Sequence, residues 1–116
     1  MVGWLAVVKG PGMGRAIEVG YGRNSIGRAD DQRCRLDFGD EEISRVSHAY
    51  IVYDGKNRKF FVTPGDGKNL TYLAGVPVLM PVELQGGENI AMGKTVVRFV
   101  PLCGPAFDWE EGVQSE

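Results

Sequence analysis

Seventeen glycines and six prolines cut this chain into short pieces. Between them apolar residues never recur at i, i+3, i+4 and i+7 over two turns, so the sequence predicts no significant helix. What does recur is a period of two. Runs of β-branched and aromatic residues alternate with polar ones and stop at turn signals such as Gly10-Pro11-Gly12, Asp54-Gly55 and Gly86-Gly87. Strands are expected over 4–10, 15–20, 24–28, 34–38, 48–54, 58–63, 69–73, 76–79, 82–84, 88–93 and 95–101. About eleven short strands with short connections describe an all-β sandwich. Only 29–33 and 39–46 read as longer loops, and long loops on a rigid sandwich are where binding residues usually sit.

A chain of 116 residues is one domain's worth, and such a domain buries roughly two-thirds of its unfolded surface. A net charge of −2 excludes a broad nucleic-acid or anionic-membrane surface, which needs clustered Lys and Arg. No run approaches the ~18 apolar residues of a spanning helix. The start MVGWLAVVKG has neither a basic n-region nor a long apolar core, so a cytoplasmic location is expected. Cys34 and Cys103 are then expected as small buried thiols. No linker or internal repeat interrupts the first hundred residues. One domain is expected over 1–104, followed by a tail over 105–116. Phe107 and Trp109 could dock the tail, and Glu110, Glu111 and Glu116 favour fraying.

Several motifs imitate catalytic or nucleotide sites and fail on spacing. Residues 86–95, GGENIAMGKT, resemble a phosphate loop, but its first glycine would have to stand where the chain has Glu88, and a strand follows instead of a helix. Residues 10–15 lack the dinucleotide spacing. Asn69-Leu70-Thr71 is formally a glycosylation sequon, without meaning in a cytoplasmic chain. One histidine and two distant cysteines cannot make a zinc site, and no metal or cofactor is expected. Ser47 and His48 are adjacent on a strand, so they point to opposite faces and cannot act as nucleophile and base. His48 reads as a structural residue bonding a loop backbone, and Asp40, Glu41 and Glu42 as a solvated turn. The chain is not expected to be an enzyme.

Three places remain: Gly27-Arg28 at a strand end, Ile43-Ser44-Arg45 leading to His48-Ala49 and Ile51, and Asn69. In order, spacing and strand context they resemble the forkhead-associated (FHA) family of phosphothreonine-peptide recognition domains, over roughly residues 20–100. That family has Gly-Arg after the third strand, then Ser-Arg-x-His-Ala-x-Ile, then Asn-Gly-Thr. The present block, Ser44-Arg45-Val46-Ser47-His48, is one residue longer, so the serine facing the phosphate is Ser44 or Ser47. Leu70 stands where the family has Gly, and Ala74 where it often has a second Asn before Gly75.

The resemblance implies an FHA-like sandwich with a non-catalytic binding site on its loops. A phosphate dianion suits charged and hydroxyl donors in a fixed array. Arg28 would supply the guanidinium, Ser44 or Ser47 a hydroxyl, and Arg45 further charge. Asn69 carries both donor and acceptor for an extended peptide backbone, with Thr71 a weaker neighbour. Gly27 and His48 would be structural. The plainer alternatives are an ion pair of Arg28 with Asp30, Asp31 or Asp37, a turn-holding Ser44, and Asn69 at a positive φ. The implied partner is a phosphothreonine-containing protein, a Ser/Thr kinase substrate or the kinase itself, with no nucleic acid and no membrane. A preference for phosphothreonine over phosphoserine, through a slot for the γ-methyl, belongs to the same implication. The alternative is a scaffold module of the same fold that binds an unphosphorylated partner or associates with itself.

Overall fold

A computed structural model describes residues 1–110, and 112 and 113 by their backbone. Eleven strands build two sheets: β1 (Gly3–Lys9), β2 (Ala16–Val19), β3 (Gly22–Gly27), β4 (Cys34–Arg35), β5 (Ala49–Asp54), β6 (Lys59–Pro64), β7 (Thr71–Leu73), β8 (Val76–Pro77), β9 (Val82–Leu84), β10 (Asn89–Met92) and β11 (Thr95–Pro101). One sheet has the order β2-β1-β11-β10-β7-β8 and the other β4-β3-β5-β6-β9. Within them every pair is antiparallel except β3 with β4. A small ribbon of β12 (Phe107–Asp108) and β13 (Gly112–Val113) follows. No helix occurs among the described residues. None is therefore long and apolar enough to cross a membrane.

Alternation decides the core. In β5, Ala49, Ile51 and Tyr53 are buried while Tyr50, Val52 and Asp54 are half-buried on the other face. Leu5 and Val7 of β1 lie opposite Phe99 and Val97 of β11, all four buried. The sheets meet through an aromatic stack. Tyr53 and Phe60 lie 4.4 Å apart in one sheet, and Phe60 reaches Phe99 of the other at 4.6 Å. Burying such a ring is worth about 1.5–3 kcal/mol, and an aromatic pair adds about 0.5–1.5 kcal/mol. Both cysteines are free and buried.

Four local expectations change. The strand expected over 34–38 ends at Arg35; Leu36 N still donates to Gly27 O at 2.8 Å, the last bond of the parallel ladder, and Leu36 is buried. The hairpin signalled at Asp54-Gly55 is present, but β6 begins at Lys59, one residue later than the expected 58. Asp54 pairs with Lys59 across a four-residue loop, and the Asp54 carboxylate accepts from Lys56 N at 3.0 Å and Asn57 Nδ2 at 2.7 Å. The strand expected over 76–79 stops at Pro77. Instead, the pairing Leu73↔Val76 closes a hairpin through Ala74 and Gly75, at φ 51° and 80°. The tail packs back through a residue the sequence did not single out. Buried Asp108 accepts hydroxyl hydrogens from Tyr53 at 2.6 Å and Tyr21 at 2.9 Å. The Phe107 and Trp109 rings meet edge-on at 5.1 Å, and Trp109 Nε1 donates to Met1 O. Fraying at Glu111 and Glu116 falls outside the described residues.

Candidate functional site

The loop between β4 and β5 is held at both ends by side chains that turn inward. Asp40, expected in a solvated turn, is buried. Its carboxylate accepts from Thr95 Oγ1 at 2.7 Å, Lys94 N at 2.8 Å and Glu42 N at 3.0 Å. Burial pushes this carboxyl up, but the three hydrogen bonds outweigh it and leave the pKa below the ordinary carboxylate value. At the far end Ser44 N donates to His48 Nδ1 at 2.9 Å, and His48 Nε2 meets Leu70 O at 3.1 Å. An acceptor at Nδ1 puts the ring proton on Nε2, which donates to Leu70 O. His48 is 1% exposed, and burial drives its pKa below the usual histidine value against the opposing pull of Leu70 O and Asp40.

Arg28 leaves the end of β3 and lies along this loop. Its backbone N donates to Ser44 O at 3.1 Å and its Nε to Ile43 O at 2.6 Å. It forms no ion pair with Asp30, Asp31 or Asp37, and Asp37 pairs with Arg35 at 3.0 Å. The terminal guanidinium nitrogens of Arg28 make no hydrogen bond among the described residues. The preceding residue has to be glycine, because a Cβ at Gly27 would stand 2.5 Å from Arg45 O. Opposite, a Cβ at Gly67 would stand 2.5 Å from Ser44 Oγ, so the third loop closes directly on that hydroxyl. Ser44 is half-buried and its Oγ makes no hydrogen bond among the described residues. Arg45 is exposed. Asn69 is exposed too, donates from Nδ2 to Glu42 O at 2.9 Å, and is not at a positive φ. Glycine-linked Arg28, Ser44, Arg45 and Asn69 thus come together from three loops.

Ser47 and Thr71 stand apart from that group. Ser47 is 6% exposed at φ 47°, with its N donating to Gln32 Oε1 at 2.8 Å and its O accepting from Asp66 N at 3.0 Å. Thr71 is 2% exposed on the inward face of β7, its Oγ1 without a partner among the described residues. The Ser-His pair is no triad, since both ring nitrogens of His48 are occupied by backbone groups. No group of three or more His, Cys, Asp or Glu among the described residues could hold a metal ion.

The family model described as FHA domain matches residues 24–93. The chain belongs to the FHA domain family. FHA domains are known as phosphothreonine-binding modules, interaction modules and not enzymes. No curated protein matches the sequence closely. Among solved structures, one from a structural and functional analysis of phosphothreonine-dependent FHA domain interactions is 27% identical with a TM-score of 0.71. It covers 86% of this chain and 96% of its own. The FhaA FHA domain, complexed with the intracellular domain of Rv3910, is 28% identical at a TM-score of 0.69 over 84% of this chain and 98% of its own. The cytoplasmic domain of the type III secretion sorting-platform protein PscD from P. aeruginosa shares the fold at a TM-score of 0.68. It is 19% identical and covers 97% of this chain and 88% of its own. In the block that is one residue longer than the family's, Ser47 has a left-handed backbone and is buried, and His48 N then meets Ile26 O at 2.7 Å.

Asp40 and Gln32 are the positioning residues that sequence reasoning missed. A Thr-Asp hydrogen bond spanning more than fifty positions leaves no periodic trace. Gln32 belongs to one of the two long loops, which was the only available signal.

Proposed function

We propose that this FHA domain docks a partner protein through a phosphorylated threonine, with Arg28 and Ser44 meeting the phosphate. Arg28 carries the reading. Its Nε is anchored on Ile43 O, the carbonyl just before Ser44, and among the described residues its terminal nitrogens and the Ser44 hydroxyl make no hydrogen bond, which leaves donors suited to a dianion. Arg45 adds exposed positive charge at the same edge. Asn69, spending one N–H on Glu42 O, keeps its carbonyl and second N–H for a peptide backbone. Ser47 and Thr71 act behind this surface as framework. The phosphothreonine-dependent domain and the FhaA complex among the similar structures support an interaction role. Partners would be substrates of a Ser/Thr kinase, or the kinase itself, acting in the cytoplasm.

A selected phosphothreonine peptide, titrated by fluorescence anisotropy, tests this. Hydrogen bonds to charged groups are worth about 1.5–3 kcal/mol, so Arg28→Ala should weaken binding roughly ten- to a hundredfold while the domain stays folded. Unchanged affinity in that variant would refute the phosphate role. A scaffold reading is favoured by one observation: Val76, Leu79 and Met80 are exposed in a stretch from 70 to 82 that holds no charged residue. Equal binding of phosphorylated and unphosphorylated peptides would support it instead.

A further inference from the structure

A shallow depression of about 240 Å³ opens beside Asn69, lined by Glu42, Asn69, Leu70, Tyr72 and Gly93. It does not include Arg28 in its lining but is built on the same loop, since Glu42 stands just upstream of Ser44. Leu70 and Tyr72 alternate with inward Thr71, so both face outward, and both are exposed. The wall is therefore aliphatic and aromatic, and the only charge in the lining is one carboxylate.

Glu42 is fixed where it begins and loosely held where it ends. Its N donates to Asp40 at 3.0 Å and its O accepts from Asn69 at 2.9 Å. Gly93 abuts its Cβ closely enough that a methyl there would stand 2.8 Å away. Among the described residues its carboxylate meets only Lys94 Nζ, at 3.5 Å, both side chains more than half exposed, and such pairs contribute little. Lys94 itself lines the neighbouring depression of about 320 Å³, with Pro11, Gly39, Asp40, Glu41 and Glu42. A ligand cation approaching over Leu70 and Tyr72 can therefore reach Glu42 from the open side.

The geometry points to a basic side chain, arginine or lysine, from one flank of the phosphothreonine as the occupant, with Glu42 setting the preference. The inference rests on the phosphopeptide reading of the adjoining site. An arginine or lysine fits both surfaces at once. Its methylene stem covers the Leu70 and Tyr72 side chains, its charge faces the carboxylate, and the Tyr72 ring adds attraction for a cation. An aspartate in the same place would meet a like charge.

The experiment uses a binding phosphothreonine peptide with arginine, alanine or aspartate placed at each flanking position in turn. These are titrated against the wild-type chain, Glu42→Gln and Glu42→Lys, with the unphosphorylated peptide as control. At one position the wild type should prefer arginine to aspartate about two- to fivefold, the range of a solvent-exposed pair. Added salt should shrink the preference. Glu42→Gln should abolish it and Glu42→Lys reverse it, because both keep the backbone contacts that hold the loop. Phosphate-dependent binding with the same flank preference in wild type and Glu42→Lys, or with none at any position, overturns this inference alone. Equal binding of phosphorylated and unphosphorylated peptides throughout overturns it together with the reading it rests on.

Discussion

Mild acid should loosen the loop that carries Ser44, through a single residue. His48 is the only histidine in the chain and is 1% exposed. Its Nδ1 can accept from Ser44 N only while unprotonated, and burial holds its pKa below the ordinary value of about 6.5. The native ring is therefore neutral where the unfolded chain begins to take up a proton. The stability this provides is complete above pH ~6.5 and declines as pH falls towards the lowered native value, with a limiting slope of about 1.4 kcal/mol per pH unit. Between pH 6.5 and 5.5 the loss should be at most about 1 kcal/mol. Asp40 and Asp108 have lowered carboxyl pKa values, so their contributions persist until the solution is more acidic, and the window belongs to His48. Urea unfolding at several pH values measures the effect in wild type and in His48→Asn. The asparagine keeps an acceptor near the Nδ1 position but loses the Leu70 contact and cannot titrate. The variant should be about 1–3 kcal/mol less stable at pH 7.5, yet flat through the window. A wild type that is equally flat, or a variant with the same slope, would refute the neutral buried ring.

Three further outcomes are expected. Ala74 sits in the left-handed region at the first central position of a two-residue turn, where glycine or asparagine is favoured. Ala74→Gly should raise stability by about 1 kcal/mol, seen as a higher midpoint in thermal unfolding. Asp108→Ala should cost about 1–3 kcal/mol in urea unfolding by stranding the buried Tyr53 hydroxyl, and an unchanged midpoint would show that the tail adds nothing to the core. Ser44→Ala should weaken phosphopeptide binding several-fold in the anisotropy assay. Ser47→Ala should leave affinity near wild type, and the reverse pattern would exchange the roles given to the two serines.

The long strands were legible because a half-buried strand writes its faces into the sequence. β11 runs over 95–101 as alternation predicts, and β5 falls one residue short of its expected start because His48 is already bonded as part of the loop. The short strands were less so. Pro77 ends β8 early, and β4 owes its two residues to parallel pairing with β3, which has no local pattern. For the site, glycine spacing showed where loops begin but not what lies against them. That Gly27 faces Arg45 O, or that Gly67 faces Ser44 Oγ, follows from contacts between distant segments. The tail illustrates the same limit. Its aromatic residues drew the eye, while the contact with the deepest reach is a carboxylate under two tyrosines.

The inward turn at Ser47 has a consequence for how this domain can change over time. In a strand, one inserted residue exchanges the two faces and would expel Ala49, Ile51 and Tyr53 from the interior. Here the longer block ends ahead of β5, where Ser47 N donates to Gln32 and Ser47 O accepts from Asp66 N while His48 N is held against Ile26 O. Loop length and core register are thereby uncoupled. A change of length between Ile43 and His48 would leave the alternation of β5 as it is, and its cost would fall on the loop's own contacts, from Ser44 to Arg28 and His48 and from Arg45 to Ala29.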